Sequence, residues 1–260
     1  MRAVRTMSFN LRCDRSEDGQ NRWTNRRPAV RSVLERLKPD LLGIQEGLKN
    51  QLNDLQLWLH GYVMVGRGRE SDFGGEHTAV FFQTNQFELL SHGDFWVSET
   101  PDVPGSKSWG SACPRTVTWA LLRHDTGRNK GAKILFLNTH LDHVSELARE
   151  NGATLILDFI RRFKDVDGII VTGDFNDEKQ SIVRRFVEEL GLADTLAAVN
   201  ATGPTFHGFT GNGFTRIDYI LASPDLKVVH GEVVTDKPHG LFVSDHFPIY
   251  ADIVLERQTS

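Results

Sequence analysis

Residues Ile169-Ile170-Val171-Thr172-Gly173-Asp174-Phe175-Asn176 place an apolar run directly ahead of an acid and an amide. Ser244-Asp245-His246-Phe247-Pro248 places an acid and an imidazole directly ahead of another run, Ile249-Tyr250-Ala251-Asp252-Ile253-Val254-Leu255. A polar side chain at the edge of a buried strand is gripped by that strand yet reaches solvent, the combination that binding and catalysis need. Each piece alone has a plainer explanation. Gly-Asp-x-Asn is a common turn whose Asp and Asn bond nearby backbone, and an isolated Asp-His pair is commonly a satisfied surface pair. Repetition of the same placement along the chain decides between the two.

Val4-Arg5-Thr6-Met7-Ser8-Phe9-Asn10 alternates at period two and ends in an amide, which predicts a half-buried strand. Leu41-Leu42-Gly43-Ile44-Gln45-Glu46 ends in a carboxylate, and Ile134-Leu135-Phe136-Leu137-Asn138-Thr139-His140 in an imidazole. Arg216-Ile217-Asp218-Tyr219-Ile220-Leu221 carries an acid inside a strand-like stretch. Val80-Phe81-Phe82 and Thr116 through Leu122 predict further strands. Between them lie helical stripes. Val30, Val33, Leu34 and Leu37 follow Pro28, which suits a first turn, and Pro39 is the stop. Leu155, Ile156, Phe159, Ile160 and Phe163 form a second stripe; Ile182, Val183, Phe186, Val187 and Leu190 form a third, closed by Gly191. Many strands with few helices predict an α/β (α+β) fold of two packed sheets covered by helices, not a doubly wound parallel sheet.

At 260 residues, with 39% hydrophobic and 25% charged, the chain is long enough for one domain, expected to span 1–260. Neither a linker-like tract nor an internal repeat divides it. No apolar run approaches the roughly 20 residues of a membrane span. The first strand follows Met1 so closely that no signal peptide is expected. Cys13 and Cys113 are the two cysteines, too few for a disulfide framework, so a cytoplasmic location is expected. Neither sits where a nucleophilic thiolate would be favoured. The net charge of −4 argues against a protein that grips nucleic acid by a uniform positive field. Arginines nonetheless crowd the start, Arg12, Arg15, Arg22, Arg26 and Arg27 among them. A solvated basic face explains them, and so does a positive rim that attracts phosphate.

Asn10, Glu46, Asp174, Asn176, Asp218 and Asp245 are hard oxygen donors, and His140 and His246 are the imidazoles at strand edges. Such a set suits Mg²⁺ or Mn²⁺, which needs one or two protein carboxylates and keeps several waters. His140-Leu141-Asp142-His143 is the weaker case for zinc. No Gly-x-Ser-x-Gly elbow, Walker loop or dinucleotide fingerprint is present. A hard cation, two histidines and several acids describe phosphate-ester hydrolysis.

Taken in order, Asn10, Gln45-Glu46, Asn138-x-His140, Gly173-Asp174-x-Asn176, Ile217-Asp218-Tyr219 and Ser244-Asp245-His246 resemble the endonuclease/exonuclease/phosphatase superfamily, the group that includes deoxyribonuclease I. Ser98 through Lys107, Cys113 through Trp119, Asn138 through His143 and Pro204 through Phe209 resemble a bacterial branch of it. The resemblance implies a four-layered α/β/β/α sandwich. It implies that Glu46 is the main ligand of one Mg²⁺ or Mn²⁺ ion, with Asn10 beside it and Asp245 near. It implies that Asp174 orients or deprotonates the attacking water while Asn176 positions water or phosphate. His246 would contact the phosphoryl group with Asp218 holding its ring, and His140 would face the phosphate from the other side, oriented by Glu76. Two departures matter. Arg12 stands where AP endonucleases carry an acid, which argues against a second metal site and AP-site cleavage. Thr172 stands where inositol 5-phosphatases carry a Trp, which argues against phosphoinositides.

Specificity is expected elsewhere. Arg115 is placed to clamp phosphate, although a structural pairing with an acid explains it equally well. Phe206, His207 and Phe209, in a glycine-rich loop, and Trp109 offer faces that could stack on a base or a sugar, or simply pack their own loops. A metal-dependent phosphodiesterase, acting on short single-stranded nucleic acid or a small diester, is the leading reading. A phosphomonoesterase on a sugar or inositol phosphate comes next, and a non-catalytic binding module last.

Overall fold

The computed structural model describes residues 2–255. Two six-stranded sheets form the centre. The first contains β1 (Val4–Asn10), β2 (Leu41–Gly47), β3 (Tyr62–Val65), β4 (His77–Gln83), β11 (Leu226–Val233) and β12 (Ile249–Leu255), in the order β11-β12-β1-β2-β4-β3. The second contains β5 (Phe87–Trp96), β6 (Thr116–His124), β7 (Lys133–His140), β8 (Gly168–Asp174), β9 (Ala193–Asp194) and β10 (Asp218–Ala222), in the order β5-β6-β7-β8-β10-β9. One parallel pair lies near the middle of each sheet, β1 with β2 and β7 with β8. The remaining pairings among the described residues are antiparallel.

Apolar packing defines four layers. Val30, Val33 and Leu34 of α1 (Trp23–Leu37), with Leu52 and Leu55 of α2 (Lys49–Trp58), cover Met7, Phe9 and Ile44 on the outer face of the first sheet. Ile156 and Ile160 of α3 (Glu146–Ile160) and Ile182 and Phe186 of α4 (Ser181–Leu190) cover Leu135, Val171 and Tyr219 on the second. Phe82, Phe87, Phe136, Ile170, Ile220 and Ile253 fill the space between the sheets. This is the expected sandwich, with helices outside and mostly antiparallel sheets facing each other. A short helix, α5 (Thr195–Ala198), is capped by the Asp194 carboxylate.

The inter-sheet layer turns polar towards one end. There Asn138 Nδ2 donates across the gap to Ile44 O (2.8 Å) and Ala79 O (2.9 Å). Its Oδ1 accepts from Gln45 Nε2 (2.7 Å) and Thr172 Oγ1 (3.1 Å). A buried amide with every bond made fixes the separation of the sheet ends. Gly43 permits this approach, because a Cβ there would stand 2.2 Å from Thr172 Oγ1 and 2.6 Å from Asn138 Oδ1.

The helices correct the sequence reading in two places. Pro28 lies inside α1, which starts at Trp23. The additional turn is invisible to a hydrophobic-stripe count because one of its inward residues is charged: Trp23 is 1% and Arg26 0% exposed. Arg26 therefore does not belong to a solvated basic face. Helix α2 was not anticipated, its inward face including Gln51 beside Leu52 and Leu55. By contrast, α4 ends at Gly191, in the left-handed conformation expected of a C-terminal cap. Among the described residues no helix is long and apolar enough to cross a membrane. The expected domain also includes residues 1 and 256–260, which lie outside the described residues.

Candidate active site

Pairing register brings the polar strand edges to one end of the sandwich. Asn10 is opposite Gln45 in the parallel β1–β2 pair, and His140 opposite Asp174 in the parallel β7–β8 pair. Asp218, at the start of β10, faces Asp174, at the end of β8. His246 precedes β12, the neighbour of β1, and forms an isolated bridge with Phe206. Between them opens a cavity of about 540 Å³.

Glu46 reaches this cavity through a distortion. The β2–β4 register shifts between Ile44 and Gly47, and Glu46 has φ 59°, a left-handed backbone uncommon for Glu. Bulges re-aim side chains in this way next to active sites. Its Oε1 accepts from Asn10 Nδ2 (3.0 Å) and its Oε2 from the Cys13 amide (3.0 Å). Burial opposes ionisation here, but His140, the Cys13 amide, His246 and Asn10 outweigh it and keep the carboxyl well below its ordinary range.

Asn10 also donates to Asp174 Oδ2 (3.0 Å), joining the two sheets at the site. Asp174 Oδ1 accepts from the Asn176 amide (3.0 Å), and Asn176 Nδ2 donates to Leu141 O (2.9 Å). Burial and the neighbouring Asp218 charge raise the Asp174 carboxyl to about 7. Asp218 Oδ2 lies 2.8 Å from His246 Nδ1. Burial lowers the basicity of His246, but Asp218, then Asp174 and Asp245, reverse this and raise it to about 10. His140 behaves oppositely: burial and Arg115 push it well below its ordinary value. One imidazole is thus cationic at neutral pH and the other neutral, with Nε2 atoms 3.8 Å (His246) and 3.5 Å (His140) from Asp174 Oδ2. A carboxylate poised near neutrality beside an imidazolium is an arrangement for moving protons.

A divalent cation fits the donor set. Asp174 and Asp218 hold carboxylate oxygens within 4.8 Å of one another and of the His246 ring, which as an imidazolium offers no lone pair, and Asp218 Oδ1 is buried without a hydrogen-bond partner among the described residues. Glu46, across the Asn10 amide, adds an ionised oxygen pair suited to a hard cation. Cys113, Asp142 and His143 are similarly close. However, Asp142 already accepts from Ser111 Oγ and the amides of Ala112, Val144 and Ser145, which leaves it poorly suited to a metal.

The structure places the remaining expected residues unequally. Asp245, Arg115, Phe206 and Glu76 line the cavity. Glu76 does not orient His140; Arg69 Nη1 takes its carboxylate at 2.6 Å. His207, fully buried, stacks on Phe247 with ring centroids 3.9 Å apart. Adjacent residues of an extended segment point to opposite faces, so Phe206 meets the cavity and His207 the core. Phe209 turns away towards Arg26, whose guanidinium carbon is 5.7 Å from its ring. Trp109 packs on the α3 side of the core and its carbonyl accepts from Ser145 Oγ (2.6 Å). His207, Phe209 and Trp109 are thus absent from the cavity lining among the described residues. Arg69, Arg149 and Lys179 line it without having been anticipated. Arg149 lies on a helix and reads like any solvated cation. Only a neighbour in space distinguishes it.

A four-layer sandwich with acids, amides and two imidazoles at one end defines a class of phosphoester hydrolase. The chain belongs to the Endonuclease/Exonuclease/phosphatase family, which it matches over residues 7–246. Members of this family use divalent metals. The chain is similar to the mannosyl-6-phosphatase of Bacteroides thetaiotaomicron, with 33% identity and a TM-score of 0.89 over 97% of this chain and 100% of that one. It is similar to an endonuclease/exonuclease/phosphatase of Bacteroides vulgatus, at 32% identity and TM-score 0.90 over 98% and 100%. The human nocturnin catalytic domain, with bound sulfate, shares the fold at 20% identity and TM-score 0.78 over 98% and 96%. Two uncharacterized proteins of Acanthamoeba polyphaga mimivirus match at 28% and 25% identity over 39% and 60% of this chain. The chain spans 17% and 60% of their respective lengths.

Proposed function

We propose that this protein is a divalent-metal-dependent phosphomonoesterase acting on a sugar phosphate. By itself the sequence favours a diester. The observation that reverses the order is the full-length likeness, at 33% identity, to a protein described as a mannosyl-6-phosphatase. The acidic balance of the chain fits a small substrate better than a long polyanion. Cleavage of a small diester or a short single strand is the alternative.

In this reading Glu46 and Asn10 would hold one Mg²⁺ or Mn²⁺, with Asp245 beside it. Such an ion would supply charge neutralisation at the phosphoryl oxygens. Arg12 supports a single ion, since its Nη1 lies 3.7 Å from Asp245 Oδ2. Asp174, kept near neutrality by burial and Asp218, takes the proton of the attacking water. Asn176 fixes that water or a phosphoryl oxygen. His246, cationic through Asp218, donates to the phosphoryl group. Neutral His140 donates from the opposite side. Residues 1–260 act as one catalytic domain. Two free thiols, Cys13 and Cys113, fit the cytoplasm.

The test is hydrolysis of p-nitrophenyl phosphate beside bis-p-nitrophenyl phosphate, with Mg²⁺, Mn²⁺ or EDTA. Metal-dependent release from the monoester, absent in His246→Ala, is expected. Cleavage of the diester alone would establish the alternative.

A further inference from the structure

The cavity wall beyond His140 contains an arginine with N–H groups that the protein leaves without acceptors. Arg115 directly precedes β6, the neighbour of the strand that ends in His140. It is 4% exposed. Its Nη2 lies 3.0 Å from His143 Nδ1, and its Nε lies 3.8 Å from Asp142 Oδ2, beyond hydrogen-bond reach. Nε and Nη1 are buried with no hydrogen-bond partner among the described residues. Asp142 balances the charge from that distance but accepts none of these N–H groups, because both its oxygens accept from Ser111 and three backbone amides. Elsewhere in the same cavity Arg12 bonds Asp18 and Arg69 bonds Glu76. A guanidinium keeps all its N–H donors at any physiological pH, and burying donors without acceptors is unfavourable. An anion arriving in the cavity offsets that cost.

We propose that Arg115 is a specificity residue that binds the third non-bridging oxygen of a terminal phosphoryl group, and so selects phosphomonoesters over phosphodiesters. This deepens the phosphomonoesterase reading and rests on it. Arg115, His140, Asp174 and Asp218 come from consecutive strand edges of one sheet, so two strand spacings, roughly 10 Å, separate the first backbone position from the third. His246, Asn176 and His140 serve the two non-bridging oxygens that both ester types possess. On the outer side, a monoester presents one more anionic oxygen to the unused N–H groups of Arg115. A diester presents a carbon substituent there and leaves those N–H groups without an acceptor. A site built to hydrogen-bond one group discriminates strongly against an analogue that lacks it. Arg149 lines the same wall, with Nη1 on the Asp142 carbonyl (2.8 Å), and adds to its positive potential.

The experiment compares wild type, Arg115→Lys and Arg115→Leu on p-nitrophenyl phosphate and bis-p-nitrophenyl phosphate, together with inhibition by inorganic phosphate and by dimethyl phosphate. In Arg115→Leu, kcat/KM for the monoester should fall about 100-fold and that for the diester less than about 5-fold, as expected of a lost charge-assisted hydrogen bond. Inhibition by inorganic phosphate should weaken at least about 10-fold, while inhibition by dimethyl phosphate stays unchanged. Arg115→Lys, which keeps the charge, should fall between. A native circular dichroism spectrum in each variant shows that folding is intact. Equal loss on both esters, or unchanged phosphate inhibition, overturns the role of Arg115 but leaves a wild-type monoesterase standing. Wild-type cleavage of the diester alone overturns the monoesterase reading and this inference with it.

Discussion

Asp218 Oδ2 accepts from His246 Nδ1 at 2.8 Å, and the two side chains are 2% and 5% exposed. They lie 28 apart in sequence, Asp218 opening a strand of the second sheet and His246 just ahead of a strand of the first, so the pair is assembled across the sandwich. Asp218 is what keeps His246 protonated, raising it to about 10 against the burial that pulls it down. In the proposed mechanism the protonated imidazole is the active form, so activity should survive to about pH 10 and fall above it. Asp218→Asn removes the charge, and the alkaline limb of kcat/KM should move down towards the ordinary imidazole value of about 6.5. The variant should therefore lose far more activity at pH 8 than at pH 6. A pH–rate profile with its alkaline limb unmoved would sink the assignment.

Glu46 should govern metal affinity. Its carboxyl is ionised throughout the neutral range, and Glu46→Gln removes that charge with little change in shape. Calorimetric titration with Mn²⁺ should show affinity reduced at least about 10-fold, the usual consequence of disturbing a metal site. Equal affinity in the two proteins would place the ion elsewhere.

Arg26 should matter to catalysis without touching substrate. Its Nη1 donates to Leu11 O (2.8 Å) and Val243 O (2.6 Å), its Nη2 to Arg12 O (2.7 Å) and its Nε to Asn21 O (2.6 Å). It thereby ties the loop after Asn10 to the segment entering Asp245 and His246. Arg26→Met leaves those carbonyls unanswered and should cost about 2–4 kcal/mol. Urea unfolding measures that loss. kcat should fall with KM little changed, because the loops lose their relative placement. An unchanged kcat would reduce Arg26 to a stability role.

Phe206 and His207, adjacent in sequence, should separate cleanly. Phe206 lines the cavity, its ring centroid 5.0 Å from that of His246, so Phe206→Ala should raise KM several-fold with a small change in melting temperature. His207 is packed between Phe247 and Phe242, so His207→Ala should lower the melting temperature and leave KM near wild type. The reverse pattern would restore His207 as a substrate residue.

Much of the fold was legible because its signals are local. The strand ending in Asn10, the runs before Glu46 and His140, and the cap at Gly191 each follow from periodicity and backbone preference within a few residues. What escaped reading were inward-facing polar residues. Arg26 and Gln51 occupy helix faces normally filled by apolar side chains, so hydrophobic counting set the start of α1 too late and missed α2. Glu76 and His207 escaped for another reason. A residue type near the right place does not reveal whether Arg69 or Phe247 will claim it.

The sequence by itself determined which residues end the central strands, because alternation and apolar runs encode strand edges locally, and it thereby named Glu46, His140, Asp174 and His246 in the cavity lining. Only the tertiary structure decided their chemistry. Register places Asp174 against Asp218 and His140, and the charges of Asp218 and Arg115 split two equally buried imidazoles into one cation and one neutral donor. It also leaves two buried N–H groups of Arg115 without hydrogen-bond partners among the described residues. Desolvation and Coulomb interactions depend on separations across the fold, and no local pattern in the chain contains those distances.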